Sequence, residues 1–507
     1  MQIGLAATNE RRQLIRDASV YTASTYIVQI LVLLLGLFTR RLLGPLDLGI
    51  WSILLILISY VSYFDLGISD AAGREIPYWK AKGDEERPER FRNLMYTYNL
   101  AISIIFGLGF LAYAFIFRRD YSPNYFVGLA VVGISLPLWR WITCGTVYLR
   151  CTKEFVFLSK TNIIVMLLNG ILSLALVWRF GLNGMYGAYI LQLIFNAWYW
   201  KNAKKWQRFF SVWFSKADFF FLLKIGVPIA LGGLTFTVFR TLDSVLVNRN
   251  LGPASFGVYS IGVSITAFIY NLPNSFSIVM YPRFQERFGS SKDDRQSLIS
   301  FIEKPTLVLN LFLLPLVVGA AFFVGPLLIR HILPKFVADI EPLKVLLVGI
   351  FFLSLIQMPG QFLITINKQL MGAMLTVACG VLLILSVTQA LKSGQGLVGV
   401  AVVTAAVYFV QFLITFAYAF WHIKRYDIFW RIILRAILTG AFCFTAMFLL
   451  DSLVKGNGNS LLMDAVMSLT KALIFILLSI PFFAYAQKKT GIIGDLLSFI
   501  TRNRAAG

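Results

Sequence analysis

Arg140, in LPLWRWITC, and the pair Arg240 and Asp243, in FRTLDSV, stand inside long apolar runs of this sequence. A basic side chain at the centre of a membrane-crossing helix costs about 2.5–3.5 kcal/mol on insertion scales, so it is expected to face a wet cavity or a partner. Arg140 lies about nine residues from the nearer end of its run, roughly 13 Å at 1.5 Å per residue, too deep to reach water along its own stem. It is either a cation for a diphosphate or an acidic sugar, or half of a pair with an acid on another helix. Trp139 and Trp141 flank it and point away from it on a helix, framing rather than covering it. Arg240 and Asp243 are three residues apart, so they share a face and can pair directly. Arg240 reads as an attractor of anions. Asp243 either holds it or takes part in proton or sodium coupling, and a locked structural ion pair is the alternative.

Lesser candidates surround these. Lys224 is close enough to the end of its run to snorkel. Arg41 and Arg249 stand just before Gly-Pro turns, at a rim where they would meet either an emerging headgroup or lipid phosphate. Lys160 and Lys471 also lie within apolar runs. Among the uncharged polar residues, Asn169, Asn271, Asn274, Asn310, Gln357 and Gln361, such amides most often join helices, at about 0.6 kcal/mol each. Asn271 and Asn274 bracket Pro273, whose missing N–H frees a carbonyl, so contacts to sugar hydroxyls are the alternative reading there. Pro137, Pro228, Pro273, Pro315 and Pro359 are candidate bending points.

The elements that must hold these residues follow from composition. Of 507 residues, 58% are hydrophobic and 14% charged, with a mean hydropathy of +0.75, against roughly 25% charged in soluble domains. An ordinary water-soluble enzyme is thereby excluded. Apolar stretches long enough to cross about 30 Å of hydrocarbon are expected at 18–38, 46–64, 94–117, 124–148, 155–178, 183–200, 219–247, 256–280, 301–329, 342–366, 370–391, 397–421, 432–451 and 461–486. The expectation is an all-α polytopic membrane protein of about 14 spans. The first run is too long for a signal peptide and lacks its cleavage site. Cys144, Cys151, Cys379 and Cys443 form no CxxC pair and read as small core hydrophobes, so no disulfide framework or metal site is expected.

The net charge of +22 suits nucleic acid or a membrane protein with basic inner loops, and placement decides for the membrane. Basic residues gather at Arg11, Arg12 and Arg16, in the loop Arg74 to Arg92, from Lys201 to Lys216, from Arg283 to Lys304, from Lys424 to Arg435, and at Lys488, Lys489, Arg502 and Arg504. An even span count puts all of these on one face, which orients both termini to the cytoplasm.

Residues 41–53 read RLLGPLDLGIWSI and residues 249–261 read RNLGPASFGVYSI, identical at seven positions of thirteen at an offset of 208. Six spans separate the copies, so both halves insert the same way and a pseudo-two-fold axis along the membrane normal is expected. The resulting division is an N-lobe over 1–200, a basic linker over 201–218 containing KNAKKWQR, a C-lobe over 219–425, and two further helices with a tail over 426–507. Two six-helix lobes with a site between them are a transporter plan.

The repeat, the span count and the stretch DLGISDAAGREIPYW (65–79) resemble the polysaccharide-transport branch of the multidrug/oligosaccharidyl-lipid/polysaccharide flippase superfamily. The likeness covers nearly the whole chain. It implies O-antigen, capsule or exopolysaccharide flippases that move undecaprenyl-diphosphate-linked oligosaccharides outward across the bacterial inner membrane. It also implies a V-shaped pair of lobes around a cationic cavity, a lipid-tail groove at the last two helices near Lys471, and a polysaccharide polymerase and chain-length regulator as partners. The arginine-aspartate pattern of the lipid II branch is missing from Arg40-Arg41-Leu42-Leu43-Gly44-Pro45. Scarce buried acids argue against the multidrug and toxin extrusion branch, a cation antiporter, which stays the alternative. A membrane glycan polymerase or ligase would need a large external loop or a catalytic acid/His/Arg cluster, and neither is evident.

GQGLVG (394–399) matches a dinucleotide fingerprint in letters only, since no strand precedes it. There is no Walker loop and no HExxH, and His331 and His422 stand at span ends. No cofactor and no nucleic-acid partner are expected; an ion gradient, the membrane potential or consumption of the product must supply the energy.

Overall fold

The computed structural model describes residues 2–203, 212–290, 294–454 and 460–490, with side chains from residue 28 onward apart from a few near residues 30, 81 and 275–290. The side chains of Arg11, Arg12, Arg16 and Arg283, residues 204–211 of the expected linker, and Arg502 and Arg504 lie outside the described residues.

Every regular element among the described residues is helical, as hydrocarbon demands, because a helix satisfies its own backbone polar groups. In chain order they are α1 (Gln2–Val61), α2 (Ile68–Ala81), α3 (Glu86–Ile116), α4 (Pro123–Cys151), α5 (Phe155–Asn202), α6 (Lys216–Ser290), α7 (Ile299–Val308), α8 (Leu314–Ile332), α9 (Ile340–Leu355), α10 (Gln357–Thr365), α11 (Gln369–Lys392), α12 (Gly396–Ile423), α13 (Tyr426–Leu453) and α14 (Leu461–Thr490). Short 3₁₀ turns precede α7 and α9, and a π-helical turn, Leu309–Leu313, joins α7 to α8.

Ten helical stretches among the described residues are long and apolar enough to cross a membrane, where about fourteen spans were expected. Continuity accounts for part of the difference. α1, α5 and α6 each break at a non-helical glycine, at Gly44, Gly181 and Gly252, so each is two helices meeting at a kink and holds two of the expected stretches. α9, at 16 residues, is separated from α10 at Ile356, and neither reaches membrane length alone. The bends expected at prolines thus fall mostly at glycines. Pro228 and Pro273 sit inside α6 without a recorded break, whereas Pro315 follows the π turn and Pro359 follows the interruption at Ile356.

The two repeat copies share one backbone signature. Gly44 has φ 78°, ψ 174° and Gly252 has φ 83°, ψ 170°, a conformation open to glycine and strained for other residues. The proline after each is preset for the first turn of the following limb.

The chain packs as two compact units, Met1–Thr237 and Val238–Gly507. The first takes in the opening turns of α6, held by close backbone contact. Gly67 and Gly226 approach so tightly that a methyl on either would run into the other's backbone. Tyr63 and Thr237 share a hydroxyl hydrogen bond of 2.8 Å, and Arg90 pairs with Asp218 at 3.3 Å. α2 is too short to cross the bilayer, at about 21 Å. It buries Ile68, Ala71, Ala72 and Ile76 against α3 and α4 and leaves Arg74, Tyr78 and Lys80 exposed.

Candidate functional site

Each unit places one arginine of an apolar helix near one buried aspartate, and the two nodes are built differently. In the first unit Arg140, 3% exposed, comes from the middle of α4. Its Nη2 donates to the carbonyls of Val61 and Ser62, at 3.2 and 2.8 Å, and lies 3.7 Å from Asp65. Those carbonyls close α1, where the helix dipole is negative and carbonyls lack helical partners. Asp65 meanwhile accepts from the backbone N–H groups of Gly67 and Ser69, at 3.0 and 3.1 Å, where α2 begins. One arginine and one aspartate therefore close the end of one helix and the start of the next across the turn 62–67. Leu66 and Gly67 in that turn hold positive φ. The acid beside Arg140 is Asp65, in the turn between α1 and α2 rather than on another helix, and the first residue of the motif DLGISDAAG. Trp139 lies beneath the guanidinium at 5.6 Å.

In the second unit Asp243 is 2% exposed and does not take its hydrogen bonds from Arg240. Tyr259 donates its hydroxyl at 2.8 Å, and Ser244 donates its N–H at 2.7 Å and its hydroxyl at 3.2 Å. Tyr259 belongs to the second repeat copy, so its bond to Asp243 ties the two limbs of α6 together across the bend at Gly252. Arg240, half-buried, sits over the Tyr270 ring at 4.3 Å, a cation–π contact that holds a guanidinium without neutralising it. Its Nε has no hydrogen-bond partner, and no carboxylate lies within 4.0 Å of it among the described residues. The direct contact that the spacing allows is not made: the carboxylate is occupied by Tyr259 and Ser244, one helical turn from the arginine.

Further along, Ser277 bridges Gln357 and Gln361 at 3.4 and 3.3 Å. Asn274 gives its carbonyl to the Ser277 hydroxyl, and Asn271 and Asn274 are both partly buried beside buried Pro273. Asn310, on the π turn, reaches Thr439 at 3.4 Å, the helix-joining role expected of such amides. Arg41 and Arg249 are both exposed, each three residues before its kink glycine. Lys224 and Lys160 are exposed too, whereas Lys471 is buried and paired with Asp451 at 2.9 Å. Arg140, Arg41 and Lys224 thus belong to the first unit, and Arg240, Asp243, Arg249, Asn271 and Asn274 to the second.

Sequence reasoning missed Asp65, Tyr259 and Tyr270, and it missed an ion network at the ends of α8, α9, α13 and α14. The signal for Asp65 was present as an acid at the edge of an apolar run. The tyrosines gave none, since a phenol in a span reads as core. Among the described residues no group of His, Cys, Asp and Glu is placed to hold a metal.

A family model described as polysaccharide biosynthesis protein matches residues 39–335. A Shigella flexneri protein named as an O-antigen transporter is 21% identical over 372 residues, covering 71% of this chain and 87% of its own length. Among solved structures, an inward-facing multidrug resistance MATE family transporter of the MOP superfamily aligns with a TM-score of 0.64 and 15% identity, covering 78% of this chain and 94% of that one. A MATE in complex with MaL6 aligns at 0.58 and 16% identity, covering 81% and 96%.

Proposed function

The chain belongs to the polysaccharide biosynthesis protein family, the polysaccharide flippase branch of the MOP superfamily, and from that premise we propose that it flips an undecaprenyl-diphosphate-linked oligosaccharide. It is a multi-pass membrane transporter, and we place it in the bacterial inner membrane with both termini cytoplasmic. Its cargo is an O-antigen, capsule or exopolysaccharide unit, moved to the outer leaflet by alternating access. A polymerase and a chain-length regulator then take over the product.

The observation that carries this reading is Arg240. A guanidinium among apolar helices with an unbonded Nε and no carboxylate within 4.0 Å among the described residues keeps positive potential for an incoming anion, and guanidinium geometry matches phosphate. Asn271 and Asn274, next along α6 and only partly buried, supply amides for sugar hydroxyls. Asp243 sits one helical turn from Arg240 and tempers that potential while it is charged. A proton or sodium ion on Asp243 would remove the brake, which couples cation entry to anion binding in a way that geometry permits. Arg41, Arg249 and Lys224 act as exposed cations on the headgroup's path. Arg140 has its charge answered by Asp65 and two carbonyls, so its contribution is to hold the α1–α2 break in place.

The test is transport of undecaprenyl-diphosphate oligosaccharide in proteoliposomes of the purified chain. Wild type is expected to move it, Arg240→Ala to lose most of that activity, and Arg240→Lys to recover part. Unchanged transport in Arg240→Ala removes the cation from the site. Efflux of cationic dyes that depends on Asp243, with no lipid movement, would establish the antiporter reading instead.

A further inference from the structure

The carboxylates of the two nodes and of the helix ends in the second unit are answered. Asp65 takes two backbone N–H groups, Asp243 takes Tyr259 and Ser244, Asp451 stands between Lys344 and Lys471 at 2.8 and 2.9 Å, and Asp464 meets His331 at 2.9 Å. Asp70, five residues beyond Asp65 in DLGISDAAG, is not. It makes no hydrogen bond, and no cation lies within 4.0 Å of its carboxylate among the described residues. It is exposed in the first turn of α2, and Ser69 just before it accepts from the Asn99 amide at 3.2 Å. Asn99 lies near the middle of α3, about 20 Å from its nearer end at 1.5 Å per residue. An unanswered carboxylate therefore stands on the surface of the first unit at mid-membrane depth.

The exposed strips of the neighbouring helices show which medium it meets. On α3 the exposed side chains at this depth and beyond are Ile104, Ile105, Leu108 and Phe115, as contact with lipid requires. On α2 they are Asp70, Arg74, Pro77, Tyr78 and Lys80. A charge held against hydrocarbon is expensive and faces water or a cavity instead, so the α2 strip marks a wet surface.

An ionised carboxylate only accepts hydrogen bonds, so its ligand must supply donors or positive charge. Positive charge is disfavoured by the exposed cations nearby: Arg74 follows one turn along α2, and Arg150, exposed at the end of α4, acts on Asp70 electrostatically. Arg140 does so as well, with Asp65 opposing it. A sugar acid carries the wrong sign for the carboxylate. Neutral hydroxyls remain, and two on adjacent carbons of a sugar ring can reach both carboxylate oxygens in charge-assisted bonds.

We propose that Asp70 is a specificity residue of the transporter, accepting two neighbouring hydroxyls of a neutral sugar ring in the cargo and rejecting a uronic acid at that place. The assignment rests on the lipid-linked oligosaccharide reading. It gives the first unit a contact that sorts cargo by its sugar, where Arg240 answers only to its phosphate.

Binding is measured on the full chain in detergent by native mass spectrometry, with undecaprenyl diphosphate and its galactosyl and galacturonosyl derivatives as probes. Wild type is expected to hold the galactosyl lipid more tightly than either of the others. Asp70→Asn, an isosteric change at an exposed group, should cut the galactosyl-to-bare affinity ratio on the order of tenfold, as loss of one charge-assisted hydrogen bond implies. It should also narrow the gap between the galactosyl and galacturonosyl lipids, and Asp70→Glu, which keeps the charge, should retain part of both preferences. A ratio near one in wild type, or a ratio unchanged in Asp70→Asn, overturns the assignment and leaves the cargo reading intact. Failure of wild type to bind any of the three lipids overturns the cargo reading, and the assignment falls with it. A lowered unfolding midpoint in Asp70→Asn would make the residue structural. Loss of a sodium or pH dependence of transport with the sugar preference kept would make it a cation site, and either result overturns the assignment.

Discussion

The nodes around Arg140 and Arg240 use the same two residue types and reach opposite electrostatic states. Arg140 spends its donors on two carbonyls and lies beside Asp65, so every charge and helix end there is answered. Around Arg240 the carboxylate is satisfied by Tyr259 and Ser244, and the arginine is left on an aromatic face. A buried arginine is therefore no sign of function by itself; what matters is whether the neighbouring acid is free to neutralise it. The repeat sharpens the contrast. At the offset of 208, Arg240 and Asp243 correspond to Val32 and Leu35, so the duplicated backbone bend is kept while the chemistry belongs to one copy.

The largest effect is expected at the answered node. Arg140→Ala leaves Asp65 buried without its cation and two helix-end carbonyls without a donor, a loss of about 3–5 kcal/mol. Thermal unfolding in detergent should report it directly, as a lower midpoint and poor recovery of folded chain. An apolar replacement of both partners, Arg140→Met with Asp65→Leu, should recover part of that loss, although Asp65 would no longer serve Gly67 and Ser69. If Arg140→Ala unfolds like wild type and only transport falls, the two nodes are alike after all.

Arg240→Ala should invert the pattern. Removing a cation that no carboxylate neutralises deletes a cation–π contact of about 0.5–2 kcal/mol, so the midpoint should move little. Transport of the lipid-linked oligosaccharide should fall about tenfold or more, the cost of one charge-assisted contact to phosphate. Measuring both quantities on both variants gives a two-by-two comparison. A large stability loss with Arg240→Ala would make this node structural too.

How much of this was legible beforehand depends on the length scale of each signal. Helical class, membrane insertion and the duplicated turn come from periodicity and composition, which act over about 20 residues and survive any packing. The partners of Asp243 were hidden at short range. Spacing places both side chains on one face, but a tyrosine sixteen residues away in the chain reaches the carboxylate first, and only the bend at Gly252 brings it there. Asp65 was hidden for the converse reason, because its value lies in backbone groups at a helix break that apolar patterning does not mark. Lys344 fell at the edge of a span and Asp451 at the edge of another, where a charge ordinarily means exposure to water. The spans expected as separate meet end to end at Gly44, Gly181 and Gly252, since a kink made by one non-helical glycine needs no loop composition to betray it.

A smaller effect isolates Asp243. Tyr259→Phe removes one of its donors while keeping the ring, leaving a buried carboxylate short of a hydrogen bond at about 1–3 kcal/mol. In the first unit the same repeat position is Trp51, packed edge-on against Tyr189 at 5.6 Å, and Trp51→Phe there should cost only packing. The two substitutions, compared by unfolding midpoint, separate a polar tie from an apolar one at matched sites. If Tyr259→Phe also lowers the cation dependence of transport, the carboxylate and its donor act together in coupling; an unchanged cation dependence assigns Tyr259 to structure alone.

The smallest and cleanest comparison lies in the repeat glycines. Nothing stands within 4 Å of a methyl added at Gly44 or at Gly252, and both hold φ near 80°. Alanine at either place therefore meets backbone strain and no clash, about 1–3 kcal/mol for a positive-φ, extended-ψ conformation that is essentially glycine's alone. Because the two backbones match, Gly44→Ala and Gly252→Ala should lower the unfolding midpoint by similar amounts. Their effects on transport should differ, because only the Gly252 bend carries Tyr259 to Asp243. Equal transport losses would mean that the bend itself, and not the chemistry hung on one copy of it, is what both halves of the chain contribute.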